Sequence, residues 1–170
     1  MKPKIGIAPI GYNTVNIFVI VKDNATEFID FTKKVFGADE RSEVRTPDRD
    51  GTLIHAEVTI GNSTIMIADS KDDWPFTPSF LQVYVDDAGS ILAAAKTEGA
   101  TVVTELTPFY GGYSIARIQD PFGNLWWLYE PKDVNEVKEI KTDTSWHKKE
   151  PSYVYTSLLE AMRKLKAKNK

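Results

Sequence analysis

The chain has 170 residues, 42% hydrophobic and 26% charged, with a net charge of −3 and no cysteine. That length buries a real core within one ordinary domain. The weak negative charge gives no general attraction to nucleic acid or to an anionic membrane, and the lack of Cys excludes disulfides, thiolate nucleophiles and cysteine metal sites. Residues 1–10 hold lysines but no apolar run long enough for a signal peptide, and no run in the chain is long enough to cross a membrane. A cytoplasmic protein is the expectation.

Residues 1–13 read as an irregular arm with Pro3, Pro9 and Gly11. Residues 14–22 read as a strand, with Val15, Ile17, Val19 and Val21 on one face and Asn16, Phe18, Ile20 and Lys22 on the other. Asp23 suits the N-cap of a helix running to about Phe36, striped by Phe28, Phe31 and Val35 and closed by Gly37. A polar strand over 38–45, a turn at 47–51, and strands over 53–60 and 63–69 joined by Gly61-Asn62 follow. A loop carries Trp74 and Phe76. Then come a strand over 80–86, an alanine-rich helix over 88–98 ended by Gly99, and strands over 101–106 and 113–119 around the loop Pro108-Phe109-Tyr110-Gly111-Gly112.

The last strand follows Asp120-Pro121-Phe122-Gly123-Asn124, which is turn chemistry, and Pro131 ends it. Its run Leu125-Trp126-Trp127-Leu128-Tyr129 predicts burial on both faces. Adjacent tryptophans on a strand point oppositely, so one enters a core and the other faces something else. The composition then turns charged through Glu150, and residues 152–168 read as an amphipathic helix with Tyr155, Leu158, Leu159, Met162 and Leu165 at helical spacing. Its basic end, Arg163 to Lys170, reads as a solvated face.

Strand, helix, three strands is thus written twice. Val21-Lys22-Asp23 overlays Val85-Asp86-Asp87, Phe36-Gly37-Ala38 overlays Glu98-Gly99-Ala100, and Gly61-Asn62 overlays Gly123-Asn124. The expected class is α+β: two βαβββ modules, about 14–69 and 79–131, forming one curved mixed sheet around a cavity with helices outside. They make a domain over 1–131, and 132–170 add a charged linker and a C-terminal helical tail.

This doubled order, together with the Asp120–Asn124 turn and Val21-Lys22-Asp23, resembles the vicinal oxygen chelate superfamily of glyoxalases, extradiol dioxygenases and bleomycin-resistance proteins. Residues 31–38, Ile54-His55-Ala56-Glu57-Val58 and residues 63–69 look like its PhnB-like branch. The resemblance implies a homodimer and four symmetric metal-ligand places on the first, fourth, fifth and eighth strands. By spacing from Asp23 and Asp87 and from Gly61 and Gly123, these fall on Asn16, Ile65, Phe80 and Trp127. Phe, Trp and Ile offer no donor, and Asn is a weak neutral one. No metal and no cofactor are therefore expected. A slip of one residue would bring in Asp69 or Glu130 instead.

Strand parity gives an open face independently of the family: Asn16, Phe18 and Ile20; His55, Glu57 and Thr59; Phe80, Gln82 and Tyr84; Arg117 and Gln119; Trp127 and Tyr129. Aromatics with a few polar groups suit a small-molecule pocket, although the same set would fill a closed core. Asn16, Phe18, Phe80, Gln82, Tyr84, Arg117, Trp127 and Tyr129 are the candidate ligand contacts. His55 and Glu57, two apart on one strand, are the candidate catalytic pair: a carboxylate orienting an imidazole base. Two functions stay open. One is a metal-free binding protein for an amphipathic or aromatic molecule. The other is a lyase, isomerase or dioxygenase using a displaced metal or His55 and Glu57. Neither predicts a nucleic-acid or membrane partner.

Overall fold

The computed structural model describes residues 6–22, 24–132 and 150–168. The chain divides into two compact units, Met1–Ser79 and Phe80–Lys170, and each carries its own sheet. The α+β class and the twofold module order are as expected. No described helix is long and apolar enough to cross a membrane.

In the first unit, β1 (Ile17–Val21), α1 (Ala25–Phe36), β2 (Asp39–Glu40), a 3-10 turn (Ser42–Val44), β3 (Thr46–Pro47), β4 (Leu53–Ile60) and β5 (Ser63–Asp69) follow in order. The sheet runs β1-β5-β4-β2, with β3 also on β4 and β1 parallel to β5. Val19, Val21, Ala56, Val58, Ile65 and Ile67 are buried, and α1 packs on this sheet with Phe28, Phe31 and Val35 also buried. At about 25 cal/mol per Å² of apolar surface, that face is the unit's main source of stability. The N-cap of α1 is Asn24, whose side chain accepts from Glu27 N, and not Asp23, which lies outside the described residues. Gly37, at φ 63°, closes the helix as the sequence predicts. Residues 38–45 do not make one strand. Only Asp39 and Glu40 pair with β4, and the chain then turns so that Arg41 and Arg45 reach Glu57 and Glu40.

The second unit holds β6 (Phe80–Tyr84), α2 (Ala88–Thr97), β7 (Thr101–Pro108), β8 (Tyr113–Gln119), β9 (Leu125–Pro131) and α3 (Tyr153–Lys168). Its sheet runs β6-β9-β8-β7, with β6 parallel to β9. Asp87 caps α2 through Ser90 N at 2.9 Å. The buried side chains of α2 are Ala88, Leu92 and Ala95. All five central residues of β8 are buried. Both faces of that strand are covered: α2 packs against it, and on the Arg117 side α3 joins Leu125 through Ala161 and Leu165. The inward stripe of α3 is therefore Leu158, Ala161 and Leu165. Tyr155 and Met162, which the spacing places on that stripe, are exposed.

The helix starts of the two modules are held alike. Asp69 Oδ1 accepts from Ala25 N at 2.6 Å while Oδ2 accepts from Leu53 N at 2.7 Å. Glu130 Oε2 accepts from Ala88 N at 2.7 Å. A carboxylate on the last strand thus faces the positive end of the module's helix.

The Asp120 turn fixes the second sheet. Oδ1 accepts from Phe122 N and Asn124 N, and Oδ2 from Asn124 Nδ2 and from the indole Nε1 of Trp126 at 2.9 Å. Burial pushes this carboxyl's pKa up, and the N–H donors oppose that. Trp126 is consequently pinned on the α2 side, 0% exposed. Asp120→Ala strips several buried donors of their acceptor and is expected to cost about 3 kcal/mol or more. Trp126→Ala is expected to cost about 3–5 kcal/mol. Chemical denaturation of each variant measures both.

Candidate functional site

Register decides which side chains share a face. In the first module Phe18 pairs with Met66 and Met66 with Glu57, so these three lie on the side away from α1. Ile65, the fourth-strand metal place that the resemblance marks, pairs with Ile17 and Val58 and belongs to the α1 side, not to the face of Phe18 and Glu57. Asn16 precedes β1. Its side chain closes a turn instead, with Oδ1 accepting from Asn13 N at 2.9 Å and Nδ2 donating to Asn13 O at 2.7 Å. That local bonding shortens the predicted strand.

Glu57 is the centre of this face, 3% exposed. Its oxygens accept from Tyr12 Oη at 2.9 and 2.8 Å, from Arg41 Nη1 at 3.0 Å and from His55 Nε2 at 3.0 Å. An ionised carboxylate only accepts, so Nε2 of His55 donates this bond. The Arg41 guanidinium also lies 5.2 Å from the centre of the Tyr12 ring. Phe18 stands between His55 and Trp74, with ring centroids 6.3 and 5.8 Å away. The arm before β1 is held against this face by Thr64 Oγ1, which donates to Gly11 O at 2.6 Å. Tyr12 and Arg41 are absent from the sequence-based site. Both sit on irregular backbone where no periodicity marks a face. The signal that pointed to them is the carboxylate on a strand face, which burial obliges to find partners.

In the second module Gln82 pairs with Trp127 and Trp127 with Arg117, while Tyr84 pairs with Tyr129. Phe80, Gln82, Tyr84, Arg117, Gln119, Trp127 and Tyr129 therefore lie on one face, and Trp126 on the other, as parity predicts. Phe80 meets Trp127 edge-on at 5.8 Å, and Tyr84, Tyr113 and Tyr129 form a cluster at 5.5–6.1 Å. Phe80 is 54% and Tyr84 65% exposed, so this end of the face is open. Toward β7 the face is covered. Arg117 donates through Nη1 to Thr104 Oγ1 at 3.1 Å and to Val154 O of α3 at 2.7 Å, and its guanidinium sits 5.3 Å from the Trp127 ring. Burial lowers the Arg117 pKa. Burial likewise raises that of the Tyr129 phenol.

Two carboxylates that a one-residue slip would bring to a metal, Asp69 and Glu130, are engaged with helix amides as described above. Among the described residues no three His, Asp or Glu side chains converge.

Burial alone would raise the Glu57 pKa, but the bonds from Tyr12 and His55 and the charge of Arg41 outweigh it and hold it below the ordinary carboxylate value. A depressed folded-state pKa contributes stability above the ordinary glutamate value, about 4.3, and that contribution is lost as pH falls through the folded pKa. Glu57→Gln is expected to be less stable than wild type by about 1–3 kcal/mol near neutrality. The gap is expected to narrow as pH falls below about 4.3. Urea denaturation of both proteins across this range checks it. A constant gap would show that Glu57 is not held ionised.

The family model described as the Glyoxalase/Bleomycin resistance protein/Dioxygenase superfamily matches residues 14–128. An uncharacterized protein of Mycobacterium bovis is 35% identical over 135 residues, spanning 73% of this chain and 84% of that protein. Among solved structures, TnmS3, an antibiotic binding protein from Streptomyces sp. CB03234, aligns with a TM-score of 0.55 at 20% identity, over 75% of this chain and 99% of that one. The genomically encoded fosfomycin resistance protein FosX from Listeria monocytogenes aligns with a TM-score of 0.57 at 12% identity, over 73% of this chain and 97% of that one. At those identities the structural likeness speaks to the fold, whereas the family model spans most of the chain: this protein belongs to the glyoxalase/bleomycin resistance protein/dioxygenase superfamily.

Proposed function

We propose that this protein is a metal-free binding member of the superfamily that takes a small amphipathic or aromatic molecule on the aromatic face of its second module. The observation that carries the reading is the aromatic cluster of Phe80, Tyr84, Trp127 and Tyr129 on one sheet face, open at Phe80 and Tyr84, with Gln82 and Arg117 among them. Large rings with a few polar groups are the usual lining of a small-molecule site. Each ring offers a planar guest about 0.5–1.5 kcal/mol beyond burial. The antibiotic-binding description of TnmS3 points the same way.

The residues do not fit the family's divalent ion. The four places that the resemblance marks carry Asn16, Ile65, Phe80 and Trp127, and the β5 residue on the face of Phe18 is Met66, not Ile65. An amide engaged in a turn, a thioether and two aromatic rings are poor ligands for a hard or borderline cation. The alternative reading, an enzyme, is favoured by one observation: Glu57 orients the His55 ring through Nε2 at 3.0 Å. Metal analysis of protein purified without chelator separates the two. A stoichiometric ion that disappears in His55→Ala would overturn the binding reading.

We further infer a homodimer, because β1 and β6 stand at sheet edges and edges need cover. Sedimentation at micromolar concentration is expected to give twice the chain mass, and a monomer would contradict this. For binding, a thermal-shift screen of planar aromatic compounds supplies the titrant. Trp127→Ala is expected to weaken its binding about tenfold, with a smaller loss of stability than Trp126→Ala. Unchanged affinity would remove Trp127 from the site.

A further inference from the structure

Arg117 and Glu57 hold equivalent places. Each pairs with the residue of its module's last strand, Trp127 or Met66, that faces Gln82 or Phe18 on the first. Each is almost wholly buried, Arg117 at 4% exposure. Their surroundings differ in one respect. Glu57 has a cation, Arg41, at 3.0 Å. Among the described residues Arg117 has no carboxylate partner and its Nε makes no hydrogen bond. A buried cation normally has a counter-charge, because neutral acceptors offset little of the hydration it gives up. Here one hydroxyl, one peptide carbonyl and the face of Trp127 stand in for it.

The carbonyl belongs to Val154, in the first turn of α3. Apart from it, α3 is held by the hydroxyl contact of Ser157 with Thr104 at 2.8 Å, by the Tyr153 hydroxyl accepting from Glu105 N at 3.0 Å, and by Leu158, Ala161 and Leu165. The helix thus seats a partial negative charge where a full one would suit the guanidinium better. The unbonded Nε belongs to the edge through which arginine takes a carboxylate or similar oxyanion side-on.

We propose that Arg117 is the anchor for an anionic group on the aromatic ligand, a carboxylate or sulfonate, and that α3 is a displaceable cover that must leave the guanidinium for the anion to reach it. This rests on the binding reading above. It narrows the ligand to a planar aromatic anion and makes the C-terminal helix its intramolecular competitor.

Two fluorescent probes test it on the full chain: 1-anilinonaphthalene-8-sulfonate, an aromatic anion, and N-phenyl-1-naphthylamine, its neutral counterpart. Wild type is expected to bind both at one per chain, the anion more tightly. Arg117→Met is expected to weaken the anion tenfold or more while leaving the neutral probe within about twofold. Leu165→Asp, which undocks α3, is expected to tighten the anion severalfold. The chain has no cysteine. The double variant Thr104→Cys, Ser157→Cys therefore offers one cross-link, which holds α3 down when oxidised and is expected to abolish anion binding reversibly. An equal effect of Arg117→Met on both probes overturns the anion anchor. Leu165→Asp leaving the anion's affinity unchanged overturns the cover. If neither probe binds wild type or Leu165→Asp, the aromatic binding face itself fails, and the inference with it. Near-ultraviolet circular dichroism confirms that each variant retains fixed packing, since loosened cores bind such dyes without stoichiometry.

Discussion

The carboxylate of Asp120 is the constraint on which the second module depends. It gathers backbone and side-chain N–H groups of a single turn and reaches the indole of Trp126. The turn therefore delivers β9 in one register. A slip of one residue would exchange the faces of every side chain on that strand. Trp126 would leave the core, and Glu130 would lose Ala88 N at the start of α2. The face carrying Trp127, Tyr129 and the paired Arg117 exists because this turn leaves no choice of register.

Around that constraint the two modules repeat one plan with different charges. Each has a helix on one side of its sheet, and a strand-borne carboxylate holds the helix start. Each also has a buried charge near the middle of the other side. In the first module Arg41 and the Tyr12 hydroxyl neutralise and bond Glu57, so the face is electrostatically complete. In the second, the acceptors of Arg117 among the described residues are neutral. The two faces thus differ in how their buried charge is compensated.

Much of this was legible in the residues. The ranges 53–60, 63–69 and 113–119 match the observed strands because alternation and turn signals bound them sharply. The opposed tryptophans followed from strand parity alone. The misplacement of Ile65 has a specific origin. Overlaying the modules on Gly61 and Gly123 sets Ile65 beside Trp127. Overlaying them on the helix-holding carboxylates Asp69 and Glu130 sets Met66 there, as the ladders do. The modules differ by one residue between turn and strand end, and the carboxylate is the better landmark because a helix terminus fixes it in space. Asn16 left the strand because an asparagine side chain bonds nearby backbone more readily than it continues a ladder. The covering of Arg117 by α3 had no local signal. Ser157 and Val154 are ordinary helix residues, and their meeting with Thr104 and Arg117 is set by long-range packing.

Hydrogen exchange of the tryptophan indoles, followed residue by residue in nitrogen-15 NMR spectra, tests the central claim most directly. The account predicts that Nε1–H of Trp126, buried and bonded to Asp120, exchanges only on global unfolding. The indole of Trp127, half-buried beneath α3, is predicted to exchange far faster. Equal protection of the two indoles, or the reverse order, would contradict the register that the Asp120 turn imposes.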